Sequence, residues 1–226
     1  MNDLYELARS IDHTLLRAEA TSEDIVTLCR EARKWRFAAV CVNPVWVELA
    51  VAELEGSEVG VAAVCGFPLG ASLTPVKVAE AARAVTSGAA EIDMVQQIGL
   101  AVEGRWDAVG EDVRAVAGAV HAGGAVLKVI LECGLLSDDA KERSARVAVA
   151  AGADFVKTST GFLAGGATIH DVALLRKVVG EAAGVKASGG IRSLGRARAM
   201  LAAGATRLGT SSGVRIMEEA HHGGAR

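Results

Sequence analysis

One phrase recurs along this chain and limits what it can become: a helical stretch, then Gly-Ala, then a short apolar run. It stands at Gly88-Ala89-Ala90-Glu91-Ile92, at Gly152-Ala153-Asp154-Phe155-Val156 and at Gly204-Ala205-Thr206-Arg207-Leu208, with looser versions at Gly123-Gly124-Ala125-Val126 and Gly184-Val185-Lys186. Glycine just past a helix supplies the left-handed turn that ends it, and the apolar run is then the next strand. Strands are predicted at residues 11–14, 38–42, 59–65, 91–95, 126–132, 154–158, 185–188 and 206–209, each followed by a helical stretch. Most are continuous apolar runs, as parallel strands buried on both faces require. Eight such units predict a single-domain α/β chain over residues 1–226, a (β/α)8 barrel with a frayed tail at 221–226. The length lies between the lower end of about 200 residues and the typical 250 or so for that fold. An open doubly wound sheet is the rival, but GxGxxG and the P-loop pattern are absent and no composition shift marks a boundary.

Helix starts fall between the strands. Thr74-Pro75 reads as a cap followed by proline at the first helical position. Ser137-Asp138-Asp139 caps a helix and sets acids against its dipole, and Thr168 with Asp171 has capping-box spacing.

Composition narrows the functional classes. With 51% hydrophobic residues the chain is not disordered, and a net charge of -3 gives no basic footprint for nucleic acid. No apolar run approaches the roughly 18 residues of a membrane span. The opening Met1–Glu6 lacks the basic-then-apolar pattern of a secretory signal. Cys29, Cys41, Cys65 and Cys133 stand far apart, without a CxxC pair, so no zinc ribbon or redox motif is expected. Free thiols fit a reducing compartment, and a cytoplasmic protein is the expectation.

In a (β/α)8 barrel the active site lies at the C-terminal ends of the strands. Lysine is the informative residue there. The chain has seven lysines against seventeen arginines, yet Lys128, Lys157 and Lys186 all fall inside predicted strands. A buried ammonium is tolerated when it is paired, or when its pKa is pushed down for use. At pH 7 only about one ordinary lysine in 2,500 is the free amine. Lys157 and Lys186 lie on consecutive strands, and two neighbouring lysines in a water-poor pocket are expected to depress one another. The competing reading makes each a salt-bridged lysine facing the helices. Asp93, inside an apolar strand, can shuttle protons or hold a lysine charge, and Asp12, at the end of the first strand, can do similar supporting work. Either acid could instead cap a loop. Cys41 ends the second strand and could line the pocket, though an inert buried thiol is its simpler role.

Glycine-rich loops give the second signal. Gly161 to Thr168 follows the Lys157 strand, Ser188-Gly189-Gly190-Ile191-Arg192 follows the Lys186 strand, and Gly209-Thr210-Ser211-Ser212-Gly213 closes the eighth. Exposed amides, hydroxyls and a following helix N-terminus make an anion site, and loops after strands seven and eight often hold phosphate. Gly209–Gly213 also matches the G-x-S-x-G hydrolase elbow. The residues after it, with Glu218, Glu219, His221 and His222, are too close together to complete a triad. His13, His121 and His170 are scattered, and HExxH does not occur.

Asp12-His13-Thr14, Val40 to Pro44, Glu91 to Val95, Phe155-Val156-Lys157-Thr158-Ser159-Thr160-Gly161-Phe162 and Val185-Lys186-Ala187-Ser188-Gly189-Gly190 occur in order. Together they resemble the deoxyribose-phosphate aldolase family over nearly the whole chain, and the KTSTGF and KASGG strings are the most specific. The resemblance implies a class I aldolase that interconverts 2-deoxy-D-ribose 5-phosphate with D-glyceraldehyde 3-phosphate and acetaldehyde, with no metal and no cofactor. It implies that Lys157 forms the Schiff base. Lys186 would lower its pKa and help proton transfer, and Asp93 would join the relay through water. Gly189, Gly190, Gly209, Ser211 and Ser212 would hold the phosphate, with Asp12, Lys128 and Cys41 around the lysines and Arg192 as a helper. It also implies a homodimer whose partners are a sugar phosphate and aldehydes, with neither nucleic acid nor membrane. Some members place a tyrosine from the C-terminus in the site, whereas the only tyrosine here is Tyr5. Cys133 stands where a threonine is expected, and Gln96-Gln97 replaces a commoner pair. Two other functions stay open on the residues alone: a sugar-phosphate isomerase or epimerase with Asp93 as base, and a sugar-phosphate sensor without turnover.

Overall fold

A computed structural model describes residues 2–163 and 165–223. Helix α1 (Asn2–Arg9) precedes strand β1 (Ile11–Leu15), which is followed by α2 (Ser22–Trp35), β2 (Ala39–Val42), α3 (Val47–Glu53) and β3 (Gly60–Cys65). Next come α4 (Thr74–Thr86), β4 (Glu91–Val95), α5 (Ile98–Val102), α6 (Trp106–Ala122), β5 (Val126–Ile130) and α7 (Asp138–Ala150). The chain closes with β6 (Phe155–Lys157), α8 (Ile169–Val179), β7 (Gly184–Ser188), α9 (Leu194–Ala202), β8 (Arg207–Thr210) and α10 (Gly213–Gly223). All eight strands pair in parallel in sequence order, and β8 returns to β1 through Asp12 opposite Gly209. The expected (β/α)8 barrel is what the chain forms. No described helix is long and apolar enough to cross a membrane.

Strand periodicity explains how the barrel divides its side chains, since alternate residues face opposite sides. Ile11, Val40, Ala63, Ile92, Leu127, Val129, Val185 and Leu208 join helix residues such as Ile25, Val113, Val116 and Leu175 in one continuous apolar layer. The residues between them point into the barrel. There, Cys41, Ala62 and Val64 form a small apolar cluster with Leu16 and Phe67 on the β2–β3 side. The opposite side of the interior is filled with charge.

Three local expectations are corrected. The fifth strand ends at Ile130, two residues before Glu132, whose backbone turns left-handed at φ 58°. Thr74 does not cap α4: it is the first helical residue, Leu73 stands at the cap, and the Thr74 hydroxyl donates to Asp112 Oδ1 at 2.7 Å. His221 and His222 belong to the last turn of α10 rather than to a frayed tail, while residues 224–226 lie outside the described residues. Ser137 and Thr168 cap α7 and α8 as their spacing predicts.

A buried ion pair ties the sheet to its helices. Lys77 is fully buried, and its Nζ donates to Asp112 Oδ2 at 2.7 Å and to the Val95 carbonyl at 2.9 Å. The other Asp112 oxygen takes Thr74 and Gln97. Gly66 leaves room for the lysine stem, because a Cβ there would lie 2.9 Å from Lys77 Cε. Asp112→Ala strands the ammonium, and a loss of about 3–5 kcal/mol is expected in urea unfolding. A loss under about 1 kcal/mol would mean that water reaches Lys77.

Candidate active site

Six strands send charged side chains into the barrel. Asp12 comes from β1, Glu91 and Asp93 from β4, Lys128 from β5, Lys157 from β6, Lys186 from β7 and Arg207 from β8. Asp12, Asp93, Lys128 and Lys186 are fully buried, and Lys157, the last residue of β6, is 3% exposed. Lys157 and Lys186 are direct partners across β6 and β7, as Asp93 and Lys128 are across β4 and β5.

Asp93 is the hub. Its Oδ2 accepts from Lys157 Nζ and from Lys186 Nζ, each at 2.7 Å, and its Oδ1 accepts from Lys128 Nζ at 2.8 Å. Lys186 also donates to Asp12 Oδ2 at 2.5 Å. The other Asp12 oxygen takes Arg207 Nη1 at 2.7 Å, and the same nitrogen lies 3.1 Å from both Glu91 oxygens. Glu91 in turn bonds Lys128. The contacts form a closed ring, Arg207–Asp12–Lys186–Asp93–Lys128–Glu91, with Lys157 attached to it only through Asp93.

Four cations thus face three carboxylates, and the excess falls on the lysine with one partner. Burial pushes the Lys157 amine below the ordinary lysine range; Asp93 opposes this, and the Lys186 charge adds to the lowering. For Lys186, burial acts the same way, but Asp12 and Asp93 outweigh it and hold the group above the ordinary range. Lys128 is raised in the same manner by Asp93 and Glu91 against its burial. The expectation that the two lysines depress one another is therefore corrected: only Lys157 goes down, because Lys186 has two carboxylates. Burial opposes ionisation of Asp93, but Lys128, Lys157 and Lys186 hold it well below the usual carboxylate range.

Above the ring lies a cavity of about 340 Å³, with Lys157 at its inner end. Gly189, Gly190, Gly209 and Ser211 line it, as do Arg17 and Arg192. Gly189 and Gly190 adopt φ 90° and 76°, the left-handed region that glycine enters without strain. A Cβ on Gly190 would meet nothing, whereas one on Gly209 would lie 2.9 Å from Ser188 Cβ and 3.1 Å from Lys186 Cε. Gly209 therefore makes room for Ser188 and for the lysine stem. Ser212 is not among the lining residues, and its N–H is bonded to Thr210 Oγ1 at 2.9 Å.

The remaining expected residues are placed as follows. Asp12 is the second residue of β1 and fully buried, rather than at the strand end. Cys41 lies 4.0 Å from Asp93 Oδ2, and burial in this acidic surrounding raises its thiol pKa, so it is an inert wall. Along the sequence, Glu91 and Arg207 stand only as strand residues. Their signal was the period of two, which sets Glu91 on the face of Asp93 and Arg207 on the face of Gly209.

A model of the DeoC/LacD family aldolases matches residues 7–219. The chain belongs to the DeoC/LacD aldolase family. It is 56% identical over 217 residues to a deoxyribose-phosphate aldolase of Deinococcus radiodurans, covering 96% of this chain and 98% of that one. A deoxyribose-phosphate aldolase of a Geobacillus species is 54% identical over 212 residues, covering 94% and 95%. Among solved structures, the tetrameric deoxyribose phosphate aldolase of Aeropyrum pernix superposes with a TM-score of 0.92 at 37% identity, covering 98% of this chain and 93% of that one.

The ring makes a statement about acid stability. Burial raises the Asp12 pKa, but Lys186, Lys128 and Arg207 outweigh it and bring the group from 3.8 to about 2. The unfolded chain then binds the Asp12 proton more tightly than the folded one. Stability from this group is complete above about pH 4 and lost as pH falls through about 2, a contribution near 2 kcal/mol. Asp12→Asn should flatten the dependence of the urea midpoint on pH across that window. An unchanged slope would assign the acid sensitivity to other carboxylates.

Proposed function

We propose that the chain is a class I aldolase that reversibly cleaves 2-deoxy-D-ribose 5-phosphate to D-glyceraldehyde 3-phosphate and acetaldehyde, with Lys157 as the Schiff-base lysine. One observation carries the assignment of roles: Lys157 opens onto the cavity and shares a single Asp93 oxygen with the fully buried Lys186.

The neutral Lys157 amine adds to C1 of the ring-opened sugar, and loss of water gives a protonated imine. Removal of the C3 hydroxyl proton lets the C2–C3 bond break. Its electron pair moves into an enamine on C2, C1 and Nζ, and C3 leaves as the aldehyde carbon of glyceraldehyde 3-phosphate. Protonation of C2 and addition of water then release acetaldehyde and restore the amine. The imine nitrogen is the electron sink.

Lys186 is the proton donor and acceptor of this cycle, held charged and oriented by Asp12 and Asp93. Asp93 is held anionic by the ammonium groups of Lys128 and Lys186, and by that of Lys157 while it is protonated, so by itself it is a weak base. Once Lys157 has given up its proton and stands as the neutral amine and then the carbinolamine, Asp93 has one charge fewer beside it, and its proton affinity is higher at the step that expels water. The phosphate end of the substrate lies toward Gly189, Gly190 and Ser211, with the Arg192 charge at the rim. Lys128 and Cys41 shape the surroundings of Asp93 without touching substrate. On this reading residues 1–226 act as one catalytic domain, in a homodimer and in a reducing cytoplasm that suits four buried thiols.

Incubation with acetaldehyde followed by borohydride should leave one ethyl group on Lys157, located by peptide mapping. Lys157→Ala should lose that adduct and all cleavage activity. Wild-type-like cleavage by this variant would sink the assignment, and an isomerase or a sensor would give no adduct. Lys186→Met should lower kcat by roughly 10²–10⁴. It should also move the acidic limb of the pH–rate profile upward, because the charge that depresses Lys157 is gone. An unmoved limb would make Lys186 structural.

A further inference from the structure

Arg207 lies at the first position of β8, at the end of the barrel away from the cavity, and it is not among the residues lining that cavity. Its side chain is only 16% exposed. One nitrogen, Nη1, serves Asp12 Oδ1 and both Glu91 oxygens, and its guanidinium carbon sits 5.6 Å from the centre of the Phe155 ring. That seat is specified locally. Phe155 pairs with Gly184 across β6 and β7, and a Cβ on Gly184 would fall 2.1 Å from the ring, so the glycine admits the platform on which Arg207 rests. An arginine that merely neutralised a stray acid would need neither the platform nor two carboxylates.

This inference deepens the Schiff-base reading and rests on it. We propose that Arg207 is a positioning residue of the aldol reaction: from the barrel floor it engages Asp12 and Glu91, closes the ring of charges, and leaves Lys157 as the one cation in excess. The groups facing Arg207 are Asp12 from β1, Glu91 from β4 and Phe155 from β6. Lys128 shares its Glu91 partner and Lys186 its Asp12 partner. The groups facing Lys157 are Asp93 from β4, Lys186 from β7 and Cys41 from β2. Arg207 therefore acts on Lys157 through the carboxylates. While it holds Asp12 and Glu91, the three lysines have only the unspent share of three acids to divide, and Lys157, with one contact, is the group that gives up its proton. Without the guanidinium, three lysines would match three carboxylates, and the ammonium form of Lys157 would complete the balance. Without Glu91 the imbalance would grow, and the amine would be favoured further.

The two deletions have opposite signs, which separates this role from simple loss of structure. The measurement is the initial rate of borohydride-trapped acetaldehyde adduct on Lys157, read by intact mass against pH, with wild type, Arg207→Met, Arg207→Lys and Glu91→Gln in parallel. Circular dichroism confirms that each variant is folded. The midpoint should rise by on the order of one pH unit in Arg207→Met, the scale of one unit charge at an effective dielectric of about 20. It should fall in Glu91→Gln and stay near wild type in Arg207→Lys, which restores the charge. The double variant Arg207→Met with Glu91→Gln should return toward wild type. If Arg207→Met does not fold, Glu91→Gln and Arg207→Lys carry the test. Midpoints that do not move, or that move in the same direction for both deletions, overturn the proposal while leaving the nucleophile standing. No adduct on Lys157 in the wild type would instead overturn the Schiff-base reading beneath it.

Discussion

Three ammonium groups on one buried carboxylate make an expensive arrangement, and the rest of this site follows from it. Taking an isolated lysine out of water costs several kcal/mol, repaid only by close, well-directed partners. Asp93 can repay two lysines fully only because each has a second acid: Asp12 for Lys186 and Glu91 for Lys128. Among the described residues, Lys157 has no second acid. Its place at the last residue of a three-residue strand, beside the cavity, is the one position in the set where losing a proton solves the desolvation problem. On the proposed reading, the nucleophilicity of Lys157 is what an incomplete pairing scheme leaves over.

The barrel is what makes such a scheme possible. Parallel closure brings β1 and β4 within reach of β7 and β8, although Asp12 and Lys186 are 174 residues apart in the chain. The apolar side of the interior, Cys41, Ala62 and Val64, holds small residues that exclude water, and of these three only the Cys41 thiol reaches the charges, at 4.0 Å from Asp93 Oδ2. A low-dielectric wall on that side strengthens every interaction on the other. Small side chains are used on the charged side as well. Gly209 and Gly184 each vacate the space that a longer neighbour fills, the Lys186 stem in one case and the Phe155 ring in the other.

The architecture was legible in the sequence because it is written in local chemistry: the Gly-Ala phrase marks where helices stop and buried parallel strands begin. Lys157, Lys186 and Asp93 were legible for the same reason, as charges inside apolar runs. The asymmetry between the two lysines was not. It depends on Asp12 reaching across the β8–β1 closure, which no spacing along the chain reveals. Glu91 and Arg207 escaped notice because a charged residue opening a strand looks like a solvated end. Only closure of the barrel turns that end inward. Lys77 sits in α4, where it is buried with Ala81 and Ala84. Its burial is set by Asp112, which the chain supplies from another helix.

In the loops after β6 and β7, glycine does more than its frequency suggests. Gly189 and Gly190 meet the requirement of a left-handed turn facing the cavity, and a Cβ on Gly189 would lie 2.9 Å from Gly166 Cα, so the β6 and β7 loops pack backbone to backbone. That contact links the loop carrying Thr160 and Gly161 to the loop that follows Ser188. Ser188 completes the link, donating to the Ser159 carbonyl at 2.5 Å while its N–H bonds Thr158 Oγ1 at 3.1 Å. The residues just after Lys157 are thereby fixed to those just after Lys186. The end of β6 cannot drift from the end of β7 without breaking both contacts. The distance between Lys157 and the neighbour whose charge depresses it is thus held by glycine packing and two hydroxyls, independently of the ion pairs whose strength depends on it.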